Sequence, residues 1–310
     1  MKKIREVLYE CQANKKAVLA TNFYNYETLI CVAKAAQAMN APVMLQLTRS
    51  SIDYMGLHTA YKMGRQVMED YGLQGYIHLD HGPSLELVQK CLDEGFDSVM
   101  IDASEKPFEE NVETSAKAVE MAKPYGANVE AELGYVAKLG QQQGGGFTTP
   151  EQAVEMAKPY GANVEAELGY VAKLGQEQGG GFTTPEQATE FVKLTGVDAL
   201  AVSIGSAHGF YKQPPHLDIP RLAAIHAATP VALVLHGSSG IPHDQVREAI
   251  ANGSVKVNLA TEIKDYFMRA LKKVLGESDE IDLRKVFPKA MEPVVELLKE
   301  KYSVTGAKIC

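Results

Sequence analysis

The sequence predicts an α/β protein that folds as a (βα)8 TIM barrel. Short runs rich in Val, Ile, Leu and Ala alternate with amphipathic helical stretches along the whole chain. This alternation is typical of parallel strands joined by helical crossovers, and the apolar strands indicate a sheet covered on both faces. An open doubly wound sheet is the main alternative, and it would need a glycine-rich phosphate turn after an early strand. The sequence contains no such turn, so the barrel is favoured.

Eight strands are predicted in order when the repeated segment NVEAELG is counted once. They cover residues 17–23, 42–48, 76–82, 98–104, 128–134, 199–205, 231–237 and 254–260. The predicted helices cover residues 2–13, 27–39, 58–71, 84–95, 107–125, 217–228, 242–252, 261–275 and 283–302. Ser84 is predicted to cap one of these helices, which ends near Gly95. We expect the units to close into a single barrel domain over residues 1–310.

A tandem repeat interrupts this pattern. Residues 118–152 and 153–187 match at every position but one, where the first copy has Gln142 and the second has Glu177. Each copy carries a helix end, the strand NVEAELG and a glycine-rich loop, and the near-identity indicates a recent or engineered duplication. A ninth strand would change strand number and shear together, which is unfavourable. We therefore expect one copy to fill the fifth strand position and the other to be displaced.

The bulk composition limits the classes of function. Hydrophobic residues make up 45% and charged residues 23% of the chain, as in soluble globular proteins. The net charge of −8 and the lack of a dense Lys/Arg stripe argue against a nucleic-acid partner. The chain shows no apolar secretion signal and no stretch near the ~20 apolar residues that cross a bilayer, so no membrane partner is expected. Four widely spaced cysteines are typical of free thiols in the cytoplasm.

Three predicted strands end in a histidine that is followed by a glycine: His81, His208 and His236. In a barrel these strand ends meet on one face, which is where barrel active sites lie. Three imidazole ligands leave a fourth position open for substrate, the arrangement of catalytic zinc. A single histidine at a strand end is more often a hydrogen-bonded structural residue. Three of them in one barrel favour a zinc site.

Carboxylates lie at the same strand ends. Asp80 precedes His81, so the two side chains should point to opposite faces of the strand. Asp80 could act as a general acid or base beside a metal, or it could orient a ligand histidine. Asp102 ends the fourth strand, and Glu132, repeated as Glu167, lies in the fifth. Because buried carboxylates are costly unless they are paired or bind a metal, these residues are candidates for a second metal or for supporting the first.

Glycine- and serine-rich turns follow the last strands. Gly209 and Gly237 would let the backbone approach a ligand closely. Turns at this end of a barrel often bind phosphate through backbone N–H groups and a helix N-terminus, and Lys212 could meet the phosphate charge. The other candidates in these turns are Ser238, Ser239, Gly240, Asn258, Ala260 and Thr261.

Six motifs together resemble the class II, zinc-dependent ketose-bisphosphate aldolases, most closely the tagatose-bisphosphate branch and its fructose-bisphosphate relatives. They are HLDHG (78–82), VMIDAS (99–104), VEAELG (129–134 and 164–169), SAHGFYK (206–212), LHGSSG (235–240) and KVNLATE (256–262). The resemblance implies reversible aldol cleavage of a phosphorylated sugar, a ketose 1,6-bisphosphate, to dihydroxyacetone phosphate and glyceraldehyde 3-phosphate. It also implies a cytoplasmic homodimer or homotetramer.

The resemblance assigns roles motif by motif. His81, His208 and His236 would bind Zn²⁺, and Asp80 would transfer the proton at the C4 hydroxyl. A monovalent cation, Na⁺ or K⁺, would help to hold the dihydroxyacetone phosphate end. The residues that match substrate-binding positions are Asn22, Thr48, Ser50, Gly209, Lys212, Gly237, Ser238, Ser239, Asn258, Ala260 and Thr261.

Two further assignments concern metal binding and proton return. Asp102 and Glu132 match positions linked to a second metal site. The family carries a Gly-Gly-x-Glu-Asp loop after VEAELG, whose acid moves a second proton. Glu177 is the best match, whereas Gln142 of the first copy cannot act as a base, so we favour the second copy as the fifth strand.

Other interpretations stay open at this stage. One is a zinc hydrolase on the same fold, which would not need the phosphate residues for a neutral substrate. Another is a barrel whose site the duplication has disabled. A different phosphorylated ketose could also be the substrate, since no residue decides the stereochemistry at C4.

Overall fold

One sheet of parallel strands organises the chain, as seen in a computed structural model that describes residues 2, 4–101, 108–131, 165–168, 182–186, 188–189, 199–202, 204–206, 211, 215–229 and 232–308. The strands in these ranges are β1 Val18–Asn22, β2 Val43–Thr48, β3 Gly75–Gly82, β4 Ser98–Ile101, β5 Asn128–Ala131, β6 Glu165–Leu168, β7 Ala199–Val202, β8 Ala232–Leu235 and β9 Ser254–Leu259. Their order across the sheet is β5-β4-β3-β2-β1-β9-β8-β7-β6.

Helices lie between and after the strands. Those with described bounds are α1 Ile4–Ala13, α2 Tyr26–Met39, α3 Arg49–Met55, α4 Leu57–Asp70, α5 Leu85–Glu94, α6 Phe108–Ala122, α7 Ile219–Ala228, α8 His243–Ala251, α9 Thr261–Glu277 and α10 Leu283–Thr305. As predicted, Ser84 caps α5, by accepting a hydrogen bond from the Leu87 N–H, and the helix ends at Gly95. The structure adds that Gly95 is left-handed. Over the described part of the chain, no helix is both long and apolar enough to span a bilayer.

In β1, β2, β3 and β8, alternate residues face two different cores. In β1, Leu19 belongs to the large cluster between the sheet and the helices, whereas Val18 and Ala20 belong to a smaller cluster with Tyr76 and Val234. Ile4 and Cys11 of α1 also pack in this smaller cluster. The sheet curls around an inner core, and period-two alternation places successive residues of a strand in the inner and the outer core.

Both copies of the repeat supply a strand, so the expectation that one is displaced is wrong. β5 from the first copy pairs with β4, and β6 from the second copy pairs with β7. Each copy thus pairs with the strand nearest to it along the chain. β5 and β6 approach within 8 Å at their Cα atoms, but none of the described ladders joins them. The described residues therefore form a curled nine-stranded sheet whose edge strands are β5 and β6, whereas a closed eight-stranded barrel was predicted.

The buried cysteines give a first testable prediction. Cys11, Cys31 and Cys91 are buried and belong to no disulfide among the described residues, and Cys310 lies outside them. Burial raises the pKa of Cys31 and of Cys91 to about 12. Because only the thiolate is nucleophilic and an ordinary thiol has a pKa of about 8.5, iodoacetamide at pH 8 should alkylate both at least ~100-fold more slowly in the native than in the urea-unfolded chain. Peptide mapping measures the rates, and equal rates in both states would contradict the prediction.

Candidate active site

The carboxyl end of β3 places Asp80 and His81 side by side. The ladder to β2 pairs Thr48 with Asp80, and the ladder to β4 shifts register between Leu79 and Gly82. His81 lies in this shift with φ of 50°, a left-handed conformation that is uncommon for a non-glycine residue. The expected placement on opposite faces is therefore wrong. The left-handed residue ends the alternation, and His81 Nε2 lies 3.9 Å from Asp80 Oδ1.

Gly82 allows this turn to form. A Cβ atom at Gly82 would lie 2.4 Å from the carbonyl oxygen of Met100 in β4, which is too close for any side chain. The backbone of β3 can thus reach β4 only because glycine follows His81. The His-Gly pair of the sequence fixes the position of the imidazole, whose side chain is about half exposed at 46%.

Asn22 holds the other side of the Asp80 carboxylate. It ends β1, is buried, and donates a hydrogen bond from Nδ2 to Asp80 Oδ2 at 2.7 Å. The Asp80 side chain is itself only 15% exposed. The carboxylate thus lies between the Asn22 amide and the His81 ring, which fixes its direction. The sequence predicted that Asn22 contacts substrate, but it gave no signal for the contact with Asp80.

His236 follows β8 at the same end of the sheet and is half-buried. The next residue, Gly237, has φ of 64°, and its carbonyl oxygen accepts a hydrogen bond from the Tyr211 hydroxyl at 2.9 Å. Tyr211 therefore fastens the turn after β8. Sequence reasoning assigned no role to Tyr211, although it lies in the motif SAHGFYK, because the contact joins residues 26 positions apart.

The turn after β8 meets the beginning of α9. Ser238 is buried and donates a hydrogen bond to the carbonyl oxygen of Asn258 at 2.6 Å. Ser239, also buried, accepts a hydrogen bond from the N–H of Glu262 at 3.4 Å. The helix begins at Thr261 after Ala260, which supplies no side-chain cap. The backbone N–H of Glu262, in the first turn of α9, therefore faces the serine turn. The first N–H groups of a helix have no partner within the helix, and they form many anion sites.

Two more features lie on this face. Thr48 caps α3, and its hydroxyl lies 3.0 Å from the hydroxyl of the exposed Ser50. Tyr24, two residues after Asn22, places its hydroxyl 3.5 Å from the carbonyl oxygen of Ala260. Burial and the charge of Asp80 both raise the pKa of Tyr24, so the phenol stays protonated near neutral pH. The sequence does not indicate a role for Tyr24, because an aromatic residue after a strand is not by itself evidence of a functional site.

Several predicted site residues cannot be compared with the structure because they lie outside the described residues. They are Asp102, Glu132, Glu177, His208, Gly209 and Lys212. Two of the three predicted histidine ligands, His81 and His236, are described, and both lie at carboxyl ends of strands. Among the described side chains alone, no group of three or more His, Cys, Asp or Glu residues is close enough to bind a metal ion.

Comparison with known proteins decides the family. Residues 2–158 and 147–308 match the family described as fructose-bisphosphate aldolase class-II, and the two matches overlap where the repeats join. The chain belongs to the class-II fructose-bisphosphate aldolase family. It is therefore a class II aldolase, a carbon–carbon lyase, as predicted. The family supports aldolase activity and a phosphorylated sugar as the class of substrate.

Relatives of this class II aldolase cover nearly its whole length. Fructose-bisphosphate aldolases of Staphylococcus epidermidis and Staphylococcus aureus are 37% and 36% identical to it, over 98% of this chain and 96% of theirs. The solved YdjI aldolase from Escherichia coli K12 is 27% identical, with a TM-score of 0.70 over 99% of this chain and 97% of that one. The fructose-bisphosphate aldolase of Campylobacter jejuni, 19% identical with a TM-score of 0.68 over 98% of this chain and 94% of its own, supports the fold alone.

Proposed function

We propose that this aldolase is zinc-dependent and cleaves the C3–C4 bond of a ketose 1,6-bisphosphate to dihydroxyacetone phosphate and glyceraldehyde 3-phosphate. The observation that carries the proposal is the carboxylate of Asp80, held by Asn22 at 2.7 Å beside the His81 imidazole. It lies on the same face as the serine turn and the N-terminus of α9, which has no side-chain cap from Ala260. A proton acceptor, an imidazole ligand and an anion site thus share one end of the sheet.

The donor set fits zinc. His81 and His236 would bind the ion, together with His208 outside the described residues, because neutral imidazoles at a site with an open position suit catalytic zinc. The nearby Asp80 carboxylate would help to orient the His81 ring. When bound, zinc supplies a positive charge that polarises the substrate carbonyl. We also propose Asp102 and Glu132 for a second metal site, and Na⁺ or K⁺ at the phosphate end.

The chain's own carboxylates would carry the protons. Asp80 accepts the proton of the C4 hydroxyl as the C3–C4 bond breaks and the C4 oxygen becomes the aldehyde. The electron pair of that bond remains on the dihydroxyacetone phosphate half, which must then gain a proton at C3. Glu177 is proposed to supply it. A positioned general acid or base contributes about 10²–10⁴-fold to such a step, so the direction fixed by Asn22 matters.

The phosphate of the dihydroxyacetone half is proposed to bind between the serine turn and α9. Backbone N–H groups of Gly237, Ser239 and Thr261 would donate to it, aided by the positive end of the helix dipole. Gly209, Lys212, Asn258 and Ala260 are proposed to complete this end. The Ser238 hydroxyl already donates to the carbonyl oxygen of Asn258, so Ser238 would act by connecting the turn after β8 to the end of β9. Ser50 and Asn22 would contact the rest of the sugar.

The motifs favour tagatose 1,6-bisphosphate, and the named relatives favour fructose 1,6-bisphosphate as a second candidate. The test is triose phosphate release from both sugars by the zinc-loaded protein. We expect turnover of at least one, and the ratio of kcat/KM values names the substrate. Release of inorganic phosphate would indicate a hydrolase. That result, or a folded, zinc-loaded protein that cleaves neither sugar, would contradict the proposal.

A further prediction concerns Asn22. The substitution Asn22→Leu removes a hydrogen bond to a charged carboxylate, an interaction of about 1.5–3 kcal/mol, so kcat should fall about 10–100-fold. Steady-state kinetics separates the possible roles, since a residue that only binds substrate would change KM and leave kcat unchanged. The exposed Asn14→Leu at the end of α1 serves as the control and should leave both constants unchanged. A normal kcat for Asn22→Leu would show that the contact with Asp80 is not needed.

A further inference from the structure

A buried ion pair lies directly behind the proposed phosphate turn. Glu262 is the second residue of α9, and Lys301 lies near the end of α10. Lys301 Nζ and Glu262 Oε2 are 2.8 Å apart, and the two side chains are only 7% and 10% exposed. The backbone N–H of Glu262 also donates to Ser239. One residue thus connects the serine turn, the first turn of α9 and the last helix.

The charge of Glu262 has two opposite effects. A carboxylate in the first turn of a helix is stabilised by the helix dipole. The same carboxylate repels a phosphate dianion that approaches that turn. Lys301 cancels the repulsion, because an ammonium at ion-pair distance leaves the pair neutral. Removing Lys301 alone would leave a buried, uncompensated negative charge next to the anion site.

We propose that Glu262 and Lys301 are a positioning pair for phosphate binding, in which Lys301 neutralises Glu262 and so keeps the turn at Ser239 and Thr261 able to bind a dianion. The inference rests on the proposed function, since it assumes that this turn takes the substrate phosphate. Neither side chain touches the substrate. They act through the backbone of α9 and through the electrostatic potential at its N-terminus.

The proposal predicts opposite effects on phosphate binding for the two single substitutions, whereas a purely structural contact would give the same effect for both. Lys301→Met should raise KM for the bisphosphate and Ki for inorganic phosphate about 10-fold, as expected for one unscreened charge near a surface site. kcat should change less than KM. Glu262→Gln, which leaves Lys301 positive, should lower Ki for inorganic phosphate. The double variant Glu262→Gln/Lys301→Met, again neutral, and Lys301→Arg should both stay near wild type.

The experiment uses the zinc-loaded full chain, with Lys299→Met as the control, because Lys299 pairs with Glu296 on the surface of the same helix. If both single variants weaken phosphate binding and the double variant does not recover it, the pair is structural only and the proposal fails. If Lys301→Met does not fold, the variants Glu262→Gln and Lys301→Arg test the proposal. A Ki for inorganic phosphate that is unchanged or raised in Glu262→Gln would then overturn the proposal. Wild-type protein that cleaves neither sugar would contradict the proposed function separately, and calorimetry with inorganic phosphate would still test the pair.

Discussion

We expect the substitution Asp80→Asn to lower kcat for aldol cleavage by about 10²–10⁴-fold, the contribution typical of a positioned acid or base. The carboxamide keeps the size of the side chain but cannot accept the proton of the C4 hydroxyl. The hydrogen bond from Asn22 is 2.7 Å long, so the loss should reflect chemistry at a fixed position. Steady-state release of triose phosphate measures it.

Two measurements and a control variant distinguish a loss of proton transfer from structural damage to the site. Zinc content and thermal stability of Asp80→Asn should stay near those of the wild type. Asp70→Asn, at the exposed end of α4 on the outside of the fold, should leave kcat unchanged. A kcat for Asp80→Asn within about threefold of wild type would remove Asp80 as the proton-transfer residue, since a general base contributes far more than this.

The second large effect is expected for His81→Ala. We expect the variant to lose its bound zinc. Because a catalytic metal stabilises the transition state by several kcal/mol, kcat/KM should fall at least ~10³-fold. The position of the imidazole is fixed by the left-handed conformation of His81 and by the close approach of Gly82 to β4. Metal analysis of the purified protein and the cleavage assay measure the two losses together.

The matched control is His58→Ala. His58 is an exposed histidine on α4, and it contacts Glu94 at 2.8 Å on the outside of the fold. This variant should keep both zinc and activity. A His81→Ala protein that still binds zinc and cleaves substrate would contradict the proposed metal site.

The strand positions could be predicted because their signals are local. Apolar runs that end in turn residues gave 17–23 and 76–82, and the structure has Val18–Asn22 and Gly75–Gly82. α3 was missed, since a helix of seven residues is too short to show a clear 3.6-residue period. The same locality explains why the strand-end positions of His81 and His236 could be predicted.

Contacts between distant segments could not be predicted. Asn22 meets Asp80 across 58 positions, and nothing near either residue indicates its partner. The left-handed His81 was missed because its conformation depends on how closely β3 approaches β4. The repeat was misjudged because two copies of one segment can both enter the sheet when each has its own neighbour, β4 for the first copy and β7 for the second.

The most direct test of the central claim is a zinc titration of the EDTA-treated protein, followed by triose phosphate release from tagatose and fructose 1,6-bisphosphate. We predict no turnover without metal and a linear return of activity as zinc is added, with none in His81→Ala at any zinc concentration that restores the wild type. Full activity of the metal-free protein, or a zinc-loaded wild type that releases no triose phosphate from either sugar, would contradict the account.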